Sequence, residues 1–284
     1  MELLEVKGLR KQYPGFLLKD VSFSLEPGYI MGFIGRNGAG KTTTMKSMLG
    51  LIAADAGSVK IGGMDFFANQ RECKQNIGFV MGEFNCYLGY KLKTITKVTK
   101  RFYDDWNEEA YRGCLSRFKL DENKRVKELS AGMRVKYALA LALSHNAQLL
   151  ILDEPTSGLD PISRDDLLDV FRGIVEDGTR SILFSTHIIS DLEKCADLIT
   201  YIKNGELYAS EELETFRSKY LLVSGGEAQL EALRGSLLGV KNNAFGFTGL
   251  IETAKAAELP SDIRTAPADL ESIMIYIEQE EKAV

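Results

Sequence analysis

A mixed α/β fold with a parallel sheet at its centre is predicted by three observations. Short apolar runs ("YIMGFIG", "LLILD" and "SILFS") alternate with stretches of helical periodicity through most of the chain. A chain of 284 residues, 45% of them hydrophobic, can bury one large core, or a large and a small one. In the helical stretch after Gly40, Met45, Met48, Leu49 and Ile52 recur at i, i+3, i+4 and i+7, which gives one apolar face to lay on a sheet.

In chain order, "YIMGFIG" is the first strand of this kind, and the helix that starts at Gly40 follows it. Strand signals fade between Glu83 and Leu129. There Ile95, Val98 and Phe102 fit one helical face, and Tyr111, Leu115 and Phe118 fit another behind an Asn107 cap. "LSAGM", residues 129–133, then opens the apolar helix "RVKYALALALSHN", so a helical subdomain is expected over about 83–145. "LLILD" and "SILFS" return to the sheet. Asn204-Gly205 in "YIKNGEL" suits the positive φ angles of a tight hairpin, and a helix is expected from Ser210. A boundary is therefore placed near 215, with domains at 1–215 and 216–284. The tail predicts a strand "YLLVS", a turn at Gly225-Gly226, a helix "EAQLEALRGSLL", a strand around "AFGFT" and a closing helix with Leu270, Ile273, Met274 and Ile277 on one face.

Composition excludes several roles. Thirty-five Lys and Arg against forty Asp and Glu give a net charge of −5, so nothing draws the whole chain onto nucleic acid or anionic lipid. No apolar run approaches the roughly 20 residues needed to span a bilayer, so no membrane insertion of its own is expected. Cys73, Cys86, Cys114 and Cys195 form no Cys-x-x-Cys pair, and with His145 far from His187 they read as buried or incidental thiols in a reducing compartment.

Two motifs carry chemistry. "GRNGAGKT", residues 35–42, fits G-x-x-x-x-G-K-[ST] between a strand and a helix. Gly35, Gly38 and Gly40 let successive N–H groups point at phosphate oxygens, Lys41 reaches the β and γ phosphates, and the Thr42 hydroxyl is offered to Mg²⁺. "LLILDEP" delivers Asp153 to the metal and Glu154, one position on, to accept a proton from attacking water. "FSTH" brings His187 to the same sheet edge, where an imidazole can hydrogen-bond a γ-phosphate oxygen. Asp160-Pro161 reads as a helix start, with Asp as N-cap and Pro at the first position.

Taken in order, "GRNGAGKT", "LSAGM", "LLILDEP", "SGLD" and "STH" resemble the nucleotide-binding subunits of ATP-binding-cassette transporters over residues 1 to about 215. The resemblance implies a P-loop NTPase core with an antiparallel β portion and an inserted helical subdomain, followed by the small C-terminal α/β unit. It implies ATP and Mg²⁺ as ligands. The nucleotide would be held by Gly35, Arg36, Asn37, Gly38, Ala39, Gly40, Lys41, Thr42 and Thr43, with Tyr13 stacked on adenine. Lys41, Glu154 and His187 would be catalytic, and Thr42 and Asp153 would hold the metal. The family signature is Leu-Ser-Gly-Gly-Gln, here departing at Ala131 and Met133; Ser130, Ala131, Gly132 and Met133 would act in trans on ATP held by a second cassette, with Asp160 carrying communication across the dimer. Where the family has a glutamine after a strand such as "IGFV", this chain has Gly82, with Glu83 one later, a carboxylate that either approaches the metal or is a loop residue. The implied partners are a separate transmembrane permease of an export system and a second copy or paired cassette, with no nucleic acid, which places the chain in the cytoplasm on the inner face of the membrane. Two other readings stay open: a soluble relative acting on ribosomes or DNA, and an ATP-dependent regulator that barely hydrolyses.

Overall fold

The structure is a computed structural model that describes residues 1–81, 87–243, 246–260 and 262–280. Two compact units divide between Ser210 and Glu211, five residues before the boundary expected from sequence.

In the first unit, β1 (Leu4–Tyr13) and β2 (Phe16–Leu25) form an antiparallel hairpin whose inward residues, among them Leu4, Val6, Leu18, Val21 and Leu25, are fully buried. β3 (Ile30–Ile34) is buried along its whole length and leads through the glycine-rich loop into α1 (Lys41–Met48). β4 (Ala56–Ile61) and β5 (Met64–Asp65) complete an antiparallel sheet of order β2-β1-β4-β5, which the alternation signals in the sequence left unread. Its inner face shares a core with β3 and α1, and the Phe23 and Phe33 rings stack at 5.6 Å across it. Met45, Met48 and Leu49 are buried as predicted, but the helix ends at Met48 and Ile52 lies beyond it.

α2 (Gln70–Gln75) and β6 (Ile77–Met81) precede the helical subdomain, which contains α3 (Leu92–Thr99), α4 (Glu108–Arg117) and α5 (Ala131–Ser144). The Asn107 side chain caps α4 by accepting from the Ala110 N–H. Of the expected face Ile95, Val98, Phe102, only Ile95 is buried. The helix gives way to a 3-10 turn at Lys100, and Phe102 is 71% exposed. What the interior uses instead is a polar relay. Tyr137 gives its one hydroxyl proton to the Leu92 carbonyl, so Thr96 must donate to Tyr137 and Tyr111 to Thr96, tying α3, α4 and α5 together. α5 lies so close to β6 that a Cβ on Gly78 would sit 2.3 Å from the Ala142 methyl.

β7 (Leu149–Asp153), α6 (Pro161–Val175), β8 (Ser181–Ser185), α7 (Ile189–Cys195), β9 (Leu198–Lys203) and β10 (Glu206–Glu212) finish the unit. The central sheet has order β10-β9-β3-β8-β7-β6, with β9, β3, β8, β7 and β6 parallel. The Asn204-Gly205 turn joins β9 to β10, and both residues have positive φ. Ser210 does not open a helix. It stays in β10, hydroxyl to hydroxyl with Thr200, and α8 (Leu213–Ser218) starts three residues later.

The second unit continues from α8 with β11 (Tyr220–Gly225), α9 (Glu227–Leu233), β12 (Leu237–Asn243), β13 (Gly246–Glu252), β14 (Arg264–Pro267) and α10 (Leu270–Glu280). Strand order β12-β13-β11-β14, antiparallel throughout, is that of a ferredoxin-like unit. The predicted long helix is cut at Leu233: Gly235 lies in a 3-10 turn, and Leu237 begins an edge strand because pairing with β13 outweighs local helix preference. Cys73, Cys114 and Cys195 are free thiols, and Cys86 lies outside the described residues.

Candidate active site

Parallel register brings the site together. Asp153, the last residue of β7, pairs with Ser185, the last of β8, and Ser185 in turn pairs with Phe33 of β3. The carboxyl ends of three adjacent strands thus deliver the loops after β3, β7 and β8 to one edge, the usual place for a ligand in an open α/β sheet.

The loop after β3 needs glycine for steric reasons. At Gly35, with φ +155, a Cβ would meet the Ile202 carbonyl oxygen at 2.3 Å. At Gly40, with φ +116, it would press on Phe16, Ile202 and Leu18. The loop curls so that the Lys41 ammonium, only 6% exposed, donates to the Gly35 carbonyl at 2.7 Å and the Arg36 carbonyl at 3.4 Å. Burial pushes the Lys41 pKa below its ordinary value, while the Glu154 and Asp153 carboxylates pull it back up. A cation held by two weak neutral acceptors is a strong donor in reserve for phosphate oxygens. Arg36, Asn37 and Gly38 lie exposed at the loop tip, Ala39 is buried beneath it, and Thr42 and Thr43 are half-buried on the first turn of α1.

Opposite the loop, Asp153 is buried and both its oxygens are engaged. Oδ2 accepts from the Thr42 hydroxyl at 3.0 Å and Oδ1 from the Ser185 hydroxyl at 2.6 Å. Ser185 also accepts from the Glu154 N–H at 2.9 Å. Glu154 has φ +52, a left-handed conformation that costs a non-glycine residue about 1–3 kcal/mol. In that conformation one carboxylate oxygen lies 3.7 Å from the Lys41 ammonium and the other 2.7 Å from His187 Nδ1. Lys41, Thr42, Asp153, Glu154 and His187 are therefore one cluster, as the motifs predicted them to lie. Ser185 was missed. Its signal was available, since it directly precedes Thr-His at the end of a strand, but only the register shows that it faces Asp153.

The donor set suits a hard cation of a particular kind. Among the described residues no group of three His, Cys, Asp or Glu could enclose a metal ion. One hydroxyl and one carboxylate facing each other across 3.0 Å match a cation such as Mg²⁺, which keeps most of its shell for phosphate and water.

The remaining predicted residues lie elsewhere on the first unit. Ser130 caps α5 by accepting from the Met133 N–H at 3.3 Å, while Gly132 is buried against Leu159 and Ser163. No hydrogen bond or ion pair among the described residues joins Ser130–Met133 to the glycine-rich loop. Asp160 caps α6, accepting from the Ile162 and Ser163 N–H groups at 3.1 Å with Pro161 at the first position, and the Ser163 hydroxyl first, then these backbone bonds, hold its carboxyl below the usual range. Tyr13 ends β1 with its ring 40% exposed and the Lys11 ammonium 5.6 Å from its centroid. Glu83 lies outside the described residues.

Behind the cluster sits a group no motif announced. Asp191, on the helix after His187, is 1% exposed, and neither carboxylate oxygen reaches hydrogen-bonding geometry; Arg164 Nε stands 3.8 Å away. Burial pushes the Asp191 pKa up, opposed by the nearby Thr156 hydroxyl and the Arg164 guanidinium.

Comparison with known proteins agrees with this geometry. Residues 18–157 match the family described as ABC transporter. The chain is 30% identical over 222 residues to the ABC transporter ATP-binding protein YtrB of Bacillus subtilis, covering 78% of this chain and 76% of that protein. It is 32% identical over 225 residues to the bacitracin transport ATP-binding protein BcrA of Bacillus licheniformis, covering 77% and 74%. Among solved structures, the ATP-binding subunit of an ABC transporter superposes with a TM-score of 0.68 at 29% identity, covering 76% of this chain and 92% of that one. A dimeric ATP-binding cassette carrying ADP and Pi shares the fold with a TM-score of 0.64 at 23% identity, over 74% and 98%.

Proposed function

Because the chain belongs to the ABC transporter family, as an ATP-binding and ATP-hydrolysing subunit, we propose that two cassettes close on two ATP molecules and so drive a separate export-type permease. The Nod factor export ATP-binding protein I among its relatives supports the export assignment. The observation that carries the reading is the cluster at the strand ends: a buried lysine, a hydroxyl–carboxylate pair and a glutamate between lysine and histidine.

In this reading the N–H groups of residues 35–43 and the Lys41 ammonium hold the phosphates, and Tyr13 stacks on the base. Thr42 and Asp153 hold Mg²⁺, which when bound neutralises developing charge on the phosphates. Glu154, turned inward by its backbone and steadied by Ser185, takes the proton of the attacking water. His187 donates its Nδ1–H to Glu154 and so orients that carboxylate, and with Nε2 also protonated it would donate to the γ phosphate. Ser130–Met133 serve ATP held by the other cassette, with the Ser130 cap presenting the amino end of α5, and Asp160 carries the signal across the dimer.

The permease docks on the helical subdomain. An apolar groove of about 390 Å³, lined by Tyr87, Tyr90, Ile95, Val98, Phe102 and Tyr103, lies open on its surface. The exposed aromatic side chains on its walls, Tyr87, Tyr90 and Phe102, suit a protein contact. Among the described residues no helix is long and apolar enough to cross a membrane, so the spanning part is assigned to that partner.

The test compares Lys41→Ala with Glu154→Gln. The first should lose nucleotide binding by fluorescent-ATP titration. The second should bind ATP, stop turning over, and elute as a larger species with ATP than without it. A Gln variant that hydrolyses ATP at the wild-type rate refutes the assignment of Glu154.

A further inference from the structure

In a chain of net charge −5, one stretch is basic without any acid. Residues 87–103 contain five Lys or Arg and no Asp or Glu. Segments 88–93 and 122–127 run side by side: the Lys127 N–H donates to the Leu88 carbonyl, Val126 to Tyr90, Leu92 to Lys124 and Lys93 to Glu122, and Lys91 bridges to Arg125. This pairing sets Lys91 and Lys124 on one exposed rim, while α3 projects Lys93 and Lys97 from a face away from the groove. Lys93 is occupied by Asn123, and Lys100 approaches Glu108 at 3.6 Å. Among the described residues Lys91, Lys97, Arg101 and Lys124 have no carboxylate partner. Asp121, beside this segment, is held low first by the Asn123 N–H and then by Lys124 and Lys91, so both lysines reach it electrostatically without being neutralised by contact. Interleaved with the charges are Tyr87, Leu88, Tyr90, Val98 and Phe102, all exposed.

Exposed basic residues free of carboxylate contact form a surface complementary to anionic headgroups. Residues 87–103 hold no acid although the chain is acidic, and Leu88, exposed on the rim, lies outside the groove lining, a combination that suits an anionic bilayer surface. We propose that this rim contacts the anionic lipid headgroups of the membrane directly, beside the groove given to the permease. The proposal rests on the reading that the chain works at a membrane. The overall negative charge does not prevent the contact, because salt screens charges beyond about 8 Å at physiological ionic strength and only the near face senses the bilayer.

The full chain is sedimented with vesicles of phosphatidylcholine alone and of phosphatidylcholine with roughly one third phosphatidylglycerol, a content giving a surface potential in the physiological range. Binding to the anionic vesicles should exceed that to neutral ones about tenfold or more and fall with added salt. Combined Lys91→Glu, Lys97→Glu and Lys124→Glu should abolish that preference, whereas reversing Lys7, Lys219 and Lys255, which changes net charge equally, should leave most of it. Equal binding to both vesicles, or loss with the second set as large as with the first, overturns the proposal. So does a patch variant that keeps its lipid preference but no longer co-purifies with the permease, since the surface then serves a protein. The ATPase reading is judged separately by Glu154→Gln, so either can fail alone.

Discussion

Replacing Ser185 by alanine removes a hydroxyl that bonds to both acidic residues of the site. Its hydroxyl donates to Asp153 at 2.6 Å and accepts from the Glu154 N–H at 2.9 Å, and the residue is fully buried, so water does not replace it. A hydrogen bond to a charged group is worth about 1.5–3 kcal/mol, and a neutral one about 0.5–1.5 kcal/mol. Part of the second is retained, because the Glu154 N–H also has the Ser185 carbonyl at 3.2 Å. The total at stake is about 2–4 kcal/mol. If Asp153 and Glu154 hold their places, this appears as lost stability. If they relax, it appears in turnover, where each 1.4 kcal/mol is tenfold, giving a fall of about 30- to 700-fold. ATP affinity should change little, because the Lys41 cradle does not touch Ser185. Steady-state kinetics as a function of ATP, paired with urea unfolding, reads both quantities. A variant with wild-type kcat and wild-type stability would show that Ser185 aligns nothing.

Three further outcomes follow from the geometry. Asp191 has a raised pKa in the folded chain, so the native state holds its proton more tightly than the unfolded one, and stability should fall as pH rises from about 3.9, the unfolded value. Asp191→Asn should flatten that fall, and urea midpoints across mildly acidic to neutral pH check it; an unchanged slope rules it out. Arg164→Ala removes the Arg164–Asp191 ion pair, at 3.8 Å, and should destabilise by about 1–2 kcal/mol after discounting for the partial exposure of the arginine. Gly35→Ala forces a Cβ to within 2.3 Å of the Ile202 carbonyl, so thermal unfolding should shift down by several degrees and ATP binding should weaken together with it. An alanine variant with normal binding would mean that the loop has room it does not show here.

Much was legible from residues alone. The glycine spacing, the strand before it and the helix after it dictate a phosphate loop wherever they occur, because positive φ and close backbone approach are local demands. Strands buried on both faces read as apolar runs, so β3, β7 and β8 announced themselves, and with them Asp153, Glu154 and His187 at their ends. Asn107, Ser130 and Asp160 were readable as helix starts because a cap is satisfied within three residues.

Only tertiary structure could decide the rest, for a common reason: it depends on which distant segments face each other. Ser185 matters because parallel register sets it against Asp153, thirty-two residues away. Phe102 fits a helical face by spacing, yet the chain leaves the α-helix before reaching it, and the side chain that spacing would bury stands exposed. Leu237 has the neighbours of a helix but joins a sheet because β13 offers it a partner. The buried, half-paired Asp191 has no signature of its own, since burial is a property of what surrounds a residue and a carboxylate looks the same in sequence whether it meets water or not.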